Sequence, residues 1–205
     1  MKLFADLVYL IAPDVPGCPD PVIEQALLNA ARTFCHKSTW LRLHDIGPIA
    51  PVADTAEYDI SSLLPEGYEV VSVLQAYQGK RGLLPMPRRP ISKSTARTAT
   101  HFLSPSPAIL GLHPIPLTAG EDVYLVVAAK PSISAAGADD TLLDEFQQEI
   151  IHGAKAELKL MPKPWRDVAL ADFHMREFRR GWAMALMRAL RGNTGYVHTF
   201  MPEVV

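Results

Sequence analysis

Residues 139–190 read DDTLLDEFQQEIIHGAKAELKLMPKPWRDVALADFHMREFRRGWAMALMRAL. Between Thr141 and Met161 the apolar residues Leu143, Phe146, Ile150, Ala154 and Leu158 recur three or four apart. Between Val168 and Leu190, Ala171, Met175, Phe178, Trp182, Ala185 and Ala189 alternate four and three. That spacing predicts two amphipathic helices, each burying one stripe. Between them stands Met161-Pro162-Lys163-Pro164-Trp165. Proline in a helix interior removes a backbone donor and clashes with the preceding turn. The stretch therefore predicts a helical hairpin folded about a proline-rich elbow. Phe146, Ile150, Trp165, Phe178 and Trp182 are its expected packing residues.

Working outward, Asp20 is placed to cap a helix with Pro21 at its first position, running to about Lys37. Its core-facing set is Val22, Ala26, Ala30 and Phe34, with Ile23, Leu27 and Ala31 beside it. Residues 2–11 predict a shorter helix that ends at Pro13. From Trp40 the period changes. Trp40 to Ile46, Glu57 to Ile60, Tyr68 to Tyr77, His101 to Leu103, Ala108 to Leu112 and Asp122 to Ala129 read as strands with turn signals between them. Gln78 to Gly82 reads as a hairpin turn leading to Leu83 and Leu84. Residues 131–140 read as a small-residue linker. The fold class expected is α+β: a helical bundle of the N-terminal helix plus the C-terminal hairpin, with an antiparallel β-rich middle region. One domain over 1–205 is expected, helical over 1–38 and 139–191, β-rich over 39–138, with a tail over 192–205.

Composition narrows the function classes. The chain has 205 residues, a net charge of −2 and 48% hydrophobic residues, ordinary for a globular protein. The charge argues against a protein that coats duplex DNA generally, and leaves local basic patches open. Two cysteines, Cys18 and Cys35, are too few for a disulfide framework, with one bridge between them open. No apolar run reaches the roughly 18 residues of a membrane span, and the N-terminus makes a poor signal peptide. The 18 prolines punctuate many fixed turns rather than forming a tract.

Candidate chemistry is sparse. The histidines at 36, 44, 101, 113, 152, 174 and 198 are scattered, without metal-ligand spacing. Cys35 reads as a small packing residue on a helix rather than a nucleophile. Acids at 139, 140, 144 and 145 sit where a helix begins, favourable for the dipole. There is no phosphate loop and no nucleophile elbow. No catalytic, metal-binding or cofactor-binding residue is expected.

Charge and hydropathy point elsewhere. No acidic residue lies between Glu69 and Glu121, and that interval holds Lys80, Arg81, Arg88, Arg89, Lys93 and Arg97. Such a loop suits phosphate or an acidic protein surface, and a solvated loop reads equally well. Arg176, Arg179, Arg180, Arg188 and Arg191 line the last helix, an arrangement more often solvated or salt-bridged. After the helix stop at Gly192-Asn193 comes an apolar tail with Tyr196, Val197, Phe200, Met201, Val204 and Val205. It either folds back on its own domain or docks on a partner, and docking is the favoured reading.

Several stretches, taken in order, resemble bacteriophage head-to-tail connector (adaptor) proteins. They are Ile11 to Pro19, Ala30 to Cys35, Leu112-His113-Pro114-Ile115-Pro116, Ala129-Lys130-Pro131-Ser132, Ile151 to Leu158, the Lys163-Pro164-Trp165 elbow and Phe178 with its Ala-rich helix. Each is weak alone, and their order and spacing carry the resemblance. It implies a structural virion protein of the neck, assembled in the bacterial host cytoplasm. It implies a homo-oligomeric ring, typically dodecameric, beneath the portal protein, extending the DNA channel and giving tail or nozzle proteins a platform. It implies a C-terminal segment that engages the portal, matching the tail. It brings no cofactor, no catalytic residue and no membrane contact. Non-specific contact with packaged DNA would fall to the basic loop. A tail-completion or stopper protein, or an enzyme with a hidden pocket, are the competing readings.

Overall fold

The computed structural model describes residues 1–86, 95–96 and 98–191. In chain order, strand β1 (Lys2–Leu3) leads into 3-10 turns over Ala5–Leu10 and Ala12–Asp14, then helix α1 (Asp20–Ser38). Strands β2 (Arg42–Ile49), β3 (Glu57–Asp59), β4 (Tyr68–Gln78), β5 (Arg81–Pro85), β6 (Thr95–Ala96), β7 (His101–Ser106), β8 (Ile109–His113), β9 (Ile115–Pro116), β10 (Val123–Pro131) and β11 (Gly137–Ala138) follow. Helices α2 (Asp140–Leu160) and α3 (Val168–Arg191) complete the described chain. The class is α+β, as expected.

The sheet is more than an appendage of a bundle. Its seven strands run β2-β10-β4-β5-β7-β8-β3. Ile46, Ile60, Phe102, Leu110, Leu112, Val123, Leu125 and Val127 form a core of their own inside it. A second core gathers α1, α2, α3 and the N-terminal 3-10 turns around Ile23, Leu27, Phe34, Leu143, Phe146, Ile150 and Phe178. Strand β10 belongs to both, through Ala129 on the helical side.

The expectation of an antiparallel middle region needs correction. β5 and β7 pair in parallel, as do β6 and β9. A tight hairpin makes neighbours antiparallel, whereas the longer stretch between β5 and β7 brings the chain back to run the same way. The expected hairpin turn is present, since β4 and β5 pair from Gln78 with Arg81.

Three further expectations change. Residues 2–11 are a two-residue strand and a 3-10 turn rather than one helix. The linker over 131–140 carries β11, which pairs with β1. A Cβ on Gly137 would fall 2.1 Å from the Lys2 carbonyl oxygen, so this contact requires glycine. Asp20 is the first residue of α1 rather than its cap. The cap is Pro19, with no side-chain bond, and the Asp20 carboxylate meets the positive helix end from within the first turn.

The hairpin forms as its spacing predicts. Asp139 caps α2 by accepting from the Thr141 amide at 2.9 Å. Met161 turns extended before Pro162, as a residue preceding proline prefers. In the elbow, Trp165 Nε1 donates to the Leu158 carbonyl at 3.2 Å and the Asp167 carboxylate accepts from the Leu170 amide at 3.0 Å, restarting the helix. Gly153 lies where α1, α2 and α3 meet, and a Cβ there would be 2.9 Å from both Ala30 Cβ and the Phe178 ring. Within α2, Phe146 leaves helical geometry (φ −128°, ψ 23°). Its ring sits 5.0 Å from Phe34 and 5.0 Å from Trp40. No proline or glycine stands in that turn to cause the kink.

Candidate interaction surfaces

Phe146, Ile150 and Phe178 are buried in the helical core, and Trp165 and Trp182 are half-buried at its margin. Their position is that of packing residues. Lys80 and Arg81 are exposed at the β4–β5 turn. Arg88, Arg89, Lys93 and Arg97 lie outside the described residues, as do Tyr196, Val197, Phe200, Met201, Val204 and Val205.

The outward face of α3 carries both charge and apolar surface. Arg176, Arg179, Arg180, Arg188 and Arg191 are all exposed. Arg188 reaches Glu145 on α2 at 3.3 Å, and Arg180 stands 4.0 Å from Glu177. Among these arginines Met184, Met187 and Leu190 are exposed, Leu190 to 69%, and Phe173 is exposed one turn before Arg176. They lie opposite Ala171, Phe178 and Ala185, which face the core. Periodicity picks out the larger inward stripe and passes over this second, outward one. The spacing of Met184, Met187 and Leu190 was the signal available.

A groove of about 630 Å³ runs between the start of β2, the first turns of α2 and the end of α3. Trp40, Leu43, His44, Glu145 and Arg188 are among its walls. Arg42 on the same wall donates to the Ala189 carbonyl, placing a cation at the negative end of α3. A second groove, about 250 Å³, opens beside the first turns of α1. It is walled by Phe4, Glu24, Leu28, Ile133 and Ala135.

Two polar clusters pin the layers together. Arg32 on α1 grips Glu69 on β4 with two bonds, 3.1 and 3.0 Å, and also donates to the Pro131 carbonyl at 2.6 Å. This fork holds the Glu69 carboxyl below the usual range, with help from the Ile133 amide and Lys130. Near the elbow, Lys155 pairs with the Asp14 carboxylate at 2.5 Å, and the buried Lys159 donates to the Asp14 carbonyl at 2.7 Å.

The histidines are less scattered than their numbers suggest. His152 Nδ1 and His174 Nδ1 are 2.7 Å apart across the α2–α3 seam. Burial lowers both pKa values, His152 further through Lys155, and His174 through His152 and Lys155. Among the described residues, no three His, Cys, Asp or Glu side chains come close enough to hold a metal ion. Burial pushes the Cys35 thiol up to about 12, far from a reactive thiolate. Cys18 and Cys35 are free rather than bridged. No helix among the described residues is long and apolar enough to cross a membrane.

A family model described as SU10 adaptor protein matches residues 3–198. The chain belongs to this family, which comprises bacteriophage head-to-tail adaptors, a class of structural proteins and not of enzymes. No match was found among curated proteins. The family match spans both cores, the basic loop and the first part of the tail, so the resemblance seen in separate stretches extends across the chain.

Proposed function

We propose that the protein is one subunit of a homo-oligomeric ring seated beneath the portal in the virion neck, built in the bacterial host cytoplasm. The ring extends the DNA channel and offers tail or nozzle proteins their platform. The observation that carries this reading is the adaptor-family match over residues 3–198. A dodecamer follows from the resemblance. The tail, through Tyr196, Val197, Phe200, Met201, Val204 and Val205, docks on the portal. The basic residues Lys80, Arg81, Arg88, Arg89, Lys93 and Arg97 face a partner or the channel. Contact with DNA is electrostatic and independent of sequence, because the duplex must slide past.

Mixing the purified chain with portal rings at virion-like salt tests the reading. A stable complex is expected, and absence of association sinks the portal contact. A chain ending at Gly192 should keep its fold and lose portal docking. Unfolding of that truncated chain would instead assign the tail to the subunit's own core.

A further inference from the structure

We infer that neighbouring subunits join head to tail, with the outward face of α3 on one copy seated in the groove beside α1 on the next. This rests on the ring reading above and names the contact that builds the ring.

The first surface is an apolar strip with a cationic border. Met184, Met187 and Leu190 are exposed in succession along α3. Arg180 and Arg191 share their face, and Arg191 is in no ion pair among the described residues. Methionine is unbranched and adaptable, which suits a side chain that must fill a groove on another molecule. A contiguous apolar strip on a soluble subunit marks a place where something docks.

The second surface is the complement of the first. The groove of about 250 Å³ is lined by Phe4, Leu28, Ile133 and Ala135 together with Glu24, Gln25 and Ser134; Phe4 and Leu28 are buried, so its open surface is mostly polar. Ile133, 72% exposed, stands at its rim. Its charge is anionic: Glu24 lines it, and Asp20 lies one helical turn earlier on the same side of α1. Among the described residues, neither acid is in an ion pair. Arginines beside methionines on one surface thus match carboxylates beside the exposed Ile133 on the other.

Their placement decides the symmetry. On α1 the groove residues Pro21, Glu24, Gln25 and Leu28 lie opposite Ala30, whose side chain meets Gly153 at the three-helix junction. On α3 the strip lies opposite Phe178, which meets the same junction. Strip and groove therefore point away from each other across the helical layer. Lying on different helices and facing outward from their shared junction, strip and groove cannot meet within one subunit. Repeated through identical copies, such a heterologous contact gives a ring when the rotation closes.

The test is p-benzoylphenylalanine incorporated at Met187, photolysed in adaptor–portal complexes or intact virions. The expected product is two copies of this chain, linked within residues 20–28 or 133–136. Links only to portal or tail proteins, or no link between copies, overturn the inference. Met187→Asp and Ile133→Arg, both at exposed positions, should each retain the fold by circular dichroism and lower ring occupancy on portals at least tenfold. Full occupancy by both variants also overturns it. If the unmodified chain fails to bind portals and is missing from virions, the adaptor-ring reading itself fails.

Discussion

His152 and His174 share one hydrogen bond between their Nδ1 atoms, 2.7 Å long, at the seam where α2 packs on α3. One ring must donate and the other accept, so the pair tolerates at most one added proton without putting two cations in contact. Lys155 and Lys159 oppose protonation, while Asp14 favours it at His174 and Glu149 and Glu177 favour it at His152. Burial leads, and both groups are harder to protonate folded than unfolded. The stability they contribute is full above the unfolded value of about 6.5 and is lost as pH falls below it. Urea unfolding midpoints should therefore drop between about pH 6.5 and 5. His174→Gln should flatten that part of the profile, and an unchanged slope would clear the pair of the effect.

Gly153→Ala sets two opposing effects against each other. Alanine favours a helix over glycine by about 1 kcal/mol. Here the added methyl would sit 2.9 Å from Ala30 Cβ and from the Phe178 ring, each on a different helix. Overpacking a filled core costs about 1–3 kcal/mol. Phe178 is hemmed in, with its ring centroid 6.2 Å from that of Phe34, so the packing cost should prevail. A lower denaturant midpoint at unchanged slope is expected, and a raised midpoint would show that the three helices can separate cheaply.

Much of the helical layer was legible because its signal is local. The stripes of α2 and α3, the elbow and α1 follow from residues three or four apart. What escaped depends on partners distant in sequence. His152 and His174 are 22 residues apart, and no spacing rule joins positions on two helices across an elbow. Arg42 meets the end of α3 across 147 residues. The parallel pairing of β5 with β7 was invisible because apolar alternation reports which face is buried and not which strand lies alongside. The Met184–Leu190 strip escaped for another reason: a single helix with two apolar faces shows one periodicity, and the larger stripe claims it.

Arg32 and Glu69 should behave as a clamp between α1 and the sheet. Arg32→Lys keeps the charge but cannot reproduce two parallel bonds to Glu69 together with the bond to Pro131. Arg32→Ala leaves the Pro131 carbonyl without this partner and should cost about 1–3 kcal/mol, with Arg32→Lys between it and the native chain. Arg32 holds the Glu69 carboxyl low, so the clamp contributes fully above about pH 4.5 and fades as pH falls below it. That window lies under the histidine window, so a pH series of the Arg32→Ala variant separates them. Equal destabilisation at pH 7 and pH 3 would remove Glu69 from the account.

The basic residues around β5 bear on the proposed contact with DNA. Lys80 and Arg81 are exposed at the β4–β5 turn, and Arg88 and Arg89 follow within a few residues of the strand's end at Pro85. If this segment meets DNA, its contribution is counterion release. Removing one phosphate-binding cation then lowers the slope of log affinity against log salt by about 0.9. Arg88→Glu combined with Arg89→Glu should weaken duplex binding by assembled rings at low salt, alike for unrelated sequences, with the slope reduced by about 2. Portal binding should persist, because the segment proposed to dock there is the tail. Unchanged DNA affinity and salt slope, with normal retention of packaged DNA, would assign these arginines to solvent. Failure of portal association together with unchanged DNA binding would assign them to a protein partner instead.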